Sequence, residues 1–390
     1  MWLPSPLCVS SPLLLPLLVA TLLSVAELAR AQLTVTTILA PPTAYKGMDE
    51  LSNRTLYYSP TFSVPYAAPG PTIWRMDFAN GAYLSPVKIV GLGTNTVPVF
   101  AVAGGSLQVT IGVPRALLVL YAADSRRRST PEGLLFAESD AMPSGRLRVH
   151  DFASQSVRVV LGNSIVGSIY GDGVGTNARL PSLSNTKLLF ESRNVVWILG
   201  QMCVIQAVST TGSYRGTNWL MSAKRRLFQC AGAQPTAANG YQDAGGEFAN
   251  CVGIALWKSS SQLLAVFIVS PSAAHGLRKI SNPSVGVPLV TTFFTSPAVA
   301  SGFVQVEIVP GSSPTLFLAD ATVTADFFFL LSMTVPLGDP TLCGSACPMT
   351  SFINVDIGNM QPSHHGSLLY IPIGVPASTG LYEVSPFPRP

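Results

Sequence analysis

Short apolar runs, bounded by Gly, Pro, Ser and Asn, recur along the whole chain, and one of them returns six times: Thr72–Phe78, Gly133–Ser139, Asn194–Gly200, Gln262–Ile268, Thr315–Ala321 and Ser367–Ile373. The spacings are 61, 61, 68, 53 and 52 residues. Runs of this length with β-branched and aromatic residues read as strands. A repeat at such a period means that one supersecondary unit is copied and that each copy buries its faces against its neighbours.

Each recurrent run is flanked by further strand-like segments. A first strand is expected before it, at Thr61–Tyr66, Leu117–Tyr121, Lys187–Glu191, Gly253–Trp257, Val304–Ile308 and Ile353–Ile357. A third follows at Val87–Val90, Arg146–Asp151, Cys203–Ser209, Leu277–Ser281, Phe328–Thr334 and Leu381–Ser385. A fourth ends in small residues at Val97–Gly104, Val157–Gly162, Arg225–Gly232 and Leu289–Ser296. The pattern predicts an all-β fold, a six-bladed β-propeller of four-stranded antiparallel blades. The last repeat stops at its third strand, whereas Leu33–Ala40 matches a fourth strand. The N-terminal segment is therefore expected to complete the last blade, closing the ring and covering an edge that would otherwise invite aggregation.

A second pattern lies where a fourth strand leads to the next first strand. Tyr170-Gly-Asp172-Gly-Val-Gly175-Thr-Asn-Ala178 and Gly240-Tyr-Gln-Asp243-Ala-Gly-Gly246-Glu-Phe-Ala249 share the spacing from Asp to Gly and from Asp to Ala. This resembles the NHL-repeat family, whose Asp-Gly-x-Gly-x-x-Ala turn precedes an inner strand and whose Ala-Asp pair ends a second strand. Ala137-Glu138 and Ala319-Asp320 sit where that pair would fall. The likeness spans residues 33–385 and is carried by the third and fourth copies.

Composition narrows the class. The chain is 390 residues long, 48% hydrophobic and 11% charged, with 33 Gly and 32 Pro, which describes a large β core cut by many turns and excludes disorder. A net charge of +4 gathered on no helix or stripe gives no support to nucleic-acid binding; Arg126-Arg-Arg128 and Lys224-Arg-Arg226 read as solvated charges. Residues 1–31 read as a signal peptide, with an apolar core at Leu13–Val25 and Ala29-Arg30-Ala31 before a cut at Gln32, leaving residues 32–390 as one propeller domain. That run is shorter than the ~20 residues of a membrane span. No span is expected in the mature chain, which is read as secreted or lumenal.

A secretory route permits disulfides, and five cysteines follow residue 31: Cys203, Cys230, Cys251, Cys343 and Cys347. If Ser209 pairs with Arg225, Cys203 falls within one residue of facing Cys230, a separation that a bridge accepts. A short-loop Cys343–Cys347 bridge with a free Cys251 completes that reading; five buried thiols are the alternative. Asn53-Arg-Thr55 is the single glycosylation sequon.

No residue cluster specifies a reaction. Asp49, Asp172 and Asp243 are expected on loops joining successive blades, either as a carboxylate ring for calcium, another divalent metal or a polar ligand, or as turn residues that accept backbone hydrogen bonds. Glu191, Lys258, Glu307 and Asp356 lie near ends of predicted inner strands, in different repeats. His150, His275, His364 and His365 form no zinc pattern, and no Gly-x-Ser-x-Gly elbow is present. Trp74, Trp197 and Trp257 are expected in the core. Together these features imply a propeller that binds a protein or glycan partner through its loop face. A metal-assisted hydrolase or lyase with its site in the channel is the alternative.

Overall fold

The computed structural model describes residues 34–39, 44–61, 72–91, 113–121, 131–139, 145–162, 171, 173–180, 183, 186–192, 194–200, 203–209, 219–226, 250–257, 262–268, 276–281, 289–295, 301–309, 315–322, 328–334, 350–354, 357–372 and 380–385. Its strands, in chain order, begin with β1 (Thr34–Leu39). The first sheet holds β2 (Ala44–Glu50), β3 (Leu56–Thr61), β4 (Ile73–Met76) and, after the small hairpin of β5 (Phe78–Ala79) and β6 (Ala82–Tyr83), β7 (Val87–Val90). The second holds β8 (Val113–Tyr121), β9 (Pro131–Ser139), β10 (Gly145–Asp151) and β11 (Ser156–Leu161). The third holds β13 (Lys187–Ser192), β14 (Val195–Gly200), β15 (Cys203–Ser209) and β16 (Trp219–Arg226), with the short β12 (Gly173–Val174) added outside β16.

The fourth sheet is β17 (Asn250–Trp257), β18 (Gln262–Ile268), β19 (Gly276–Ser281) and β20 (Leu289–Thr295); the fifth is β21 (Ser301–Val309), β22 (Thr315–Thr322), β23 (Phe328–Thr334) and β24 (Thr350–Asn354). The last combines β25 (Ile357–Pro362), β26 (Leu368–Pro372) and β27 (Leu381–Ser385) with β1 as its outer strand. Every neighbouring pair is antiparallel, as hairpin connections dictate.

First strands touch in cyclic order: β2 packs on β8, β8 on β13, β13 on β17, β17 on β21, β21 on β25, and β25 back on β2. Each sheet therefore turns its first strand to the centre of a ring. The fold is a β-propeller. β1 closes it, with Thr34 facing Ser385, Val35 facing Val384 and Thr37 facing Tyr382. The two ends of the described chain thus share one sheet, as expected from the sequence. Among the described residues no helix is long and apolar enough to cross a membrane.

Side-chain alternation along a strand fastens each sheet to two neighbours. On β2, Tyr45 and Met48 join Leu369, Ile371 and Leu381 of the last sheet in one apolar cluster. The next residue out of β2 on the other side, Leu51, packs with Leu117, Val119, Leu134 and Phe136 of the second sheet. Between them Gly47 lets β2 and β8 approach, since a Cβ there would lie 3.1 Å from the Ala116 backbone.

Strand assignment differs from expectation in three places. In the first sheet the inner strand is β2, so Thr72–Phe78 contributes the third strand rather than the second. In the last repeat, Ile353–Ile357 divides between β24, the outer strand of the fifth sheet, and β25, the inner strand of the last. The fourth strand of the third sheet is β16, which begins six residues before the expected Arg225, and Ser209 faces Trp219 instead of Arg225. In the first and last sheets the cause is the same. β2 and β25 carry Lys46, Asp49, Glu50, Asn359 and Gln361, so apolar runs do not mark them. Asp49, Glu50, Asn359 and Gln361 are buried, and there hydrogen bonds replace apolar contact.

Candidate functional site

The polar residues of the ring's centre sit on inner strands. In a radial sheet the inner strand has one backbone edge unpaired, and buried N–H and C=O groups need partners. Asp49, 1% exposed, serves this need. Its Oδ2 accepts a hydrogen bond from Val119 N on the neighbouring inner strand at 2.6 Å, and Oδ1 accepts one from Glu50 N at 3.0 Å. Asp49 was expected on a loop between blades; it lies within β2 instead, because the inner strand of the first sheet is β2. Asp172 and Asp243 lie outside the described residues.

Glu307 and Lys187 form the second polar group. Lys187 Nζ stands 2.6 Å from Glu307 Oε2 and donates to the carbonyl of Val306 at 2.8 Å; Glu307 Oε1 accepts from Ile308 N at 3.0 Å. The lysine belongs to the third sheet and the glutamate to the fifth. Glu191 accepts, within its own sheet, from Trp197 Nε1 at 2.5 Å and from Gln206 Nε2 at 3.3 Å. The structure thus does not bring Glu191, Glu307 and Asp49 to one point. Lys258 and Asp356 lie outside the described residues.

The third group lies at the seam between the first and last sheets. Arg54, in the β2–β3 hairpin, places Nη2 2.7 Å from Glu383 Oε2 on β27 and Nε 3.8 Å from Glu50 Oε1. Its guanidinium lies 4.4 Å over the Phe78 ring. Ser363 Oγ donates to Glu50 Oε2 at 2.5 Å, Ser367 Oγ donates to Glu383 Oε1 at 2.7 Å, and His364 N reaches Glu50 Oε2 at 3.2 Å. Burial pushes the Glu50 carboxyl above its ordinary range. His364 and His365, adjacent in the β25–β26 turn, enter this group through their backbone N–H groups.

The remaining expected residues fall as follows. Asn53 is exposed in the β2–β3 turn, its Oδ1 accepting from Thr55 N at 3.0 Å, while Thr55 Oγ1 donates to Asp77 at 3.1 Å. Cys203 begins β15 and Cys251 lies on β17; Cys230, Cys343, Cys347 and His275 lie outside the described residues. Ser209 faces Trp219 instead of Arg225, and beyond a register shift Ile205 faces Arg226; what Cys203 would meet at Cys230 lies outside the described residues. His150 is buried on β10, where burial holds its imidazole below the usual range. Trp197 and Trp257 are buried, and Trp74 packs partly buried against the first sheet's core.

At the Asp172 turn, Gly175 takes φ +56° and opens a single 3-10 turn over Gly175–Asn177. Gly173 is required for a different reason: a Cβ there would meet Ala178 N at 2.8 Å. Of the Ala-acid pairs, Glu138 is fully buried with Arg146 Nε and Arg148 Nε each 2.7 Å from its Oε1. Sequence reasoning missed Lys187 as the partner of Glu307, and missed the seam group of Glu50, Arg54 and Glu383. Their signal is a charge inside an apolar strand run, as in Lys187-Leu-Leu-Phe and Leu381-Tyr-Glu383-Val, because such a charge is buried only when paired.

Among the described residues no group of three His, Cys, Asp or Glu could hold a metal ion. No family model matches the chain, and no curated protein matches its sequence. Solved structures resemble it in fold. The calcium structure of a Trichoderma reesei carbohydrate-active enzyme of family AA12 is 8% identical, with a TM-score of 0.49 over 90% of this chain and 95% of that one. A glucose dehydrogenase is 14% identical, with a TM-score of 0.47 over 90% and 99% of the two chains. The soluble aldose sugar dehydrogenase of Escherichia coli, in its apo form, is 12% identical, with a TM-score of 0.44 over 91% and 100%. Fold is shared by many unrelated activities, so these likenesses assign no chemistry to this chain.

Proposed function

We propose that this protein is a secreted or lumenal, six-bladed, NHL-like β-propeller that binds a protein or glycan partner through its loop face. The observation that carries the reading is the use of the polar residues at the ring's centre. Asp49, Glu307, Lys187 and Glu191 hold backbone groups, an ion pair or an indole, and do not converge on a common point. Catalysis needs convergent groups around one reacting atom. Recognition then falls to the connections between sheets. Three of these, residues 91–112, 162–186 and 227–249, run in sequence from the fourth strand of one sheet to the first strand of the next, and most of their residues lie outside the described ones. Six sheets of four or more strands in cyclic contact among the described residues support the blade number, and the spacing around Asp172 and Asp243 in the sequence supports the NHL likeness.

The test is a glycan array and a cross-linking screen on the secreted protein, with metal analysis of the same preparation. Saturable binding that is lost when residues 227–249 are replaced by a short Gly-Ser linker supports the reading. Stoichiometric metal with turnover of a hydrolase or lyase substrate overturns it in favour of the enzyme. The secretory part of the proposal includes a mature N-terminus at Gln32, a glycan on Asn53 and bridges at Cys203–Cys230 and Cys343–Cys347. N-terminal sequencing, glycosidase treatment and non-reducing peptide mapping test these in turn, and a Cys251-linked peptide would overturn the bridges.

A further inference from the structure

At the seam, two buried carboxylates share one arginine. Glu50 at the end of β2 is 1% exposed and Glu383 on β27 is 3% exposed. Arg54 adopts φ +66°, a left-handed conformation costly for a side chain larger than glycine, and thereby turns its guanidinium into the space between them. It does not divide itself evenly. The contact to Glu383 is 2.7 Å and hydrogen-bonded, whereas the one to Glu50 is 3.8 Å.

The charged groups acting on Glu50 are Arg54 and Glu383, of opposite sign. Its other partners are neutral donors: Ser363 Oγ and His364 N at Oε2, and the Tyr83 hydroxyl at Oε1, 3.3 Å away. His365, exposed in the same turn, is close enough to feel both Arg54 and Glu383. A buried anion whose nearby cation is engaged more tightly elsewhere is stabilised by losing its charge.

We propose that the seam between the first and last sheets takes up a proton on Glu50, so that the ring is held closed more tightly in mildly acidic solution than near neutrality. The proton comes from solvent and settles on Oε1. The half-exposed Tyr83 hydroxyl then reverses its hydrogen bond, accepting from Oε1–H and turning its own hydrogen to water. Ser363 and His364 keep Oε2, and Arg54 remains with Glu383. Burial, the largest influence, favours the protonated form, and the Glu383 charge acts the same way; the Ser363 bond, the Arg54 charge and the His364 N–H oppose them. A carboxyl held above its ordinary range binds its proton at higher pH folded than unfolded, so stability falls as pH rises through the folded value. The gain on acidification ends once the unfolded chain is protonated too. His365 works in the opposite direction, because burial and Arg54 keep it neutral below its ordinary range and its charging in acid disfavours the fold.

The experiment is thermal unfolding of the full secreted chain as wild type, Glu50→Gln and His365→Asn, between about pH 5 and pH 8. Glu50→Gln mimics the protonated carboxyl. It is expected to raise Tm by about 2 °C near neutrality, with the difference from wild type shrinking to nothing in acid. His365→Asn should keep the wild-type trend or steepen the gain in acid. A Glu50→Gln Tm below wild type at every pH, or a difference that ignores pH, overturns the proposal. So does a calcium-dependent rise in wild-type Tm near neutrality that Glu50→Gln abolishes, which would make a metal ion the neutralising partner. Should Glu50→Gln fail to fold, infrared difference spectra of the wild type decide: a protonated-carboxyl band that persists above the ordinary carboxyl range and is shifted by Tyr83→Phe is expected, and its absence overturns the proposal.

Discussion

The Lys187 ammonium, carried by the third sheet, stands 2.6 Å from the Glu307 carboxylate of the fifth, with both side chains almost fully buried. It also donates a hydrogen bond to the Val306 carbonyl of the fifth sheet's inner strand at 2.8 Å. One side chain thus ties two non-adjacent sheets and satisfies backbone at the ring's centre.

Lys187→Met should therefore cost about 3–5 kcal/mol, because it leaves Glu307 buried without its cation. The double change Lys187→Met with Glu307→Met should cost clearly less, since no charge is then stranded. Urea unfolding of the two variants checks this. Equal losses would show that the pair matters for shape rather than charge.

Asp49 carries a sharper test of its role as a backbone partner. Asp49→Ala removes the acceptor from Val119 N and Glu50 N and should destabilise the fold by about 2–3 kcal/mol, with Asp49→Asn intermediate because one carbonyl oxygen survives. Chemical denaturation gives the order. If both variants keep wild-type stability and lose calcium binding instead, Asp49 is a ligand and its hydrogen bonds are incidental.

Ring closure by β1 predicts that deleting residues 32–40 destabilises the whole domain by at least about 3 kcal/mol, from the half-buried Ile38 and Leu39 at ~25 cal/mol per Å² and the lost ladder to β27. Val35 should contribute little, being 45% exposed. Ile38→Ala should reproduce part of the loss and Val35→Ala almost none. A deletion variant with an unchanged melting temperature would refute the closure.

His150 gives the fold an acid-labile element. It is buried at 2% exposure with its ring edge-on to Phe152, and burial depresses its proton affinity in the folded state. The unfolded chain then binds more protons below the ordinary histidine range, so stability is lost as pH falls from there toward the folded value. His150→Gln should flatten this loss. The measurement is the difference in urea midpoint between wild type and variant, followed from neutrality to about pH 5. A difference that does not change with pH would mean that His150 binds its proton equally well in the folded and unfolded chain.

The sequence by itself determined the β class, the repeated four-stranded unit and the closing strand. These rest on apolar runs at strand length and on turns rich in Gly and Pro, which are local signals. Cys203–Ser209, Gln262–Ile268, Phe328–Thr334 and Leu381–Ser385 were legible to the residue for this reason. Only the tertiary structure decided which strands are innermost in the first and last sheets. β2 and β25 bury polar side chains, so their partners, not their hydropathy, make them strands. The same holds for the polar groups at the centre and the seam. Lys187 and Glu307, or Arg54 and Glu383, are far apart in the chain and become partners only when the ring brings third to fifth sheet and first to last. A charge inside an apolar run signals burial, but which group faces it is written in no local pattern, because the partner comes from a distant part of the chain.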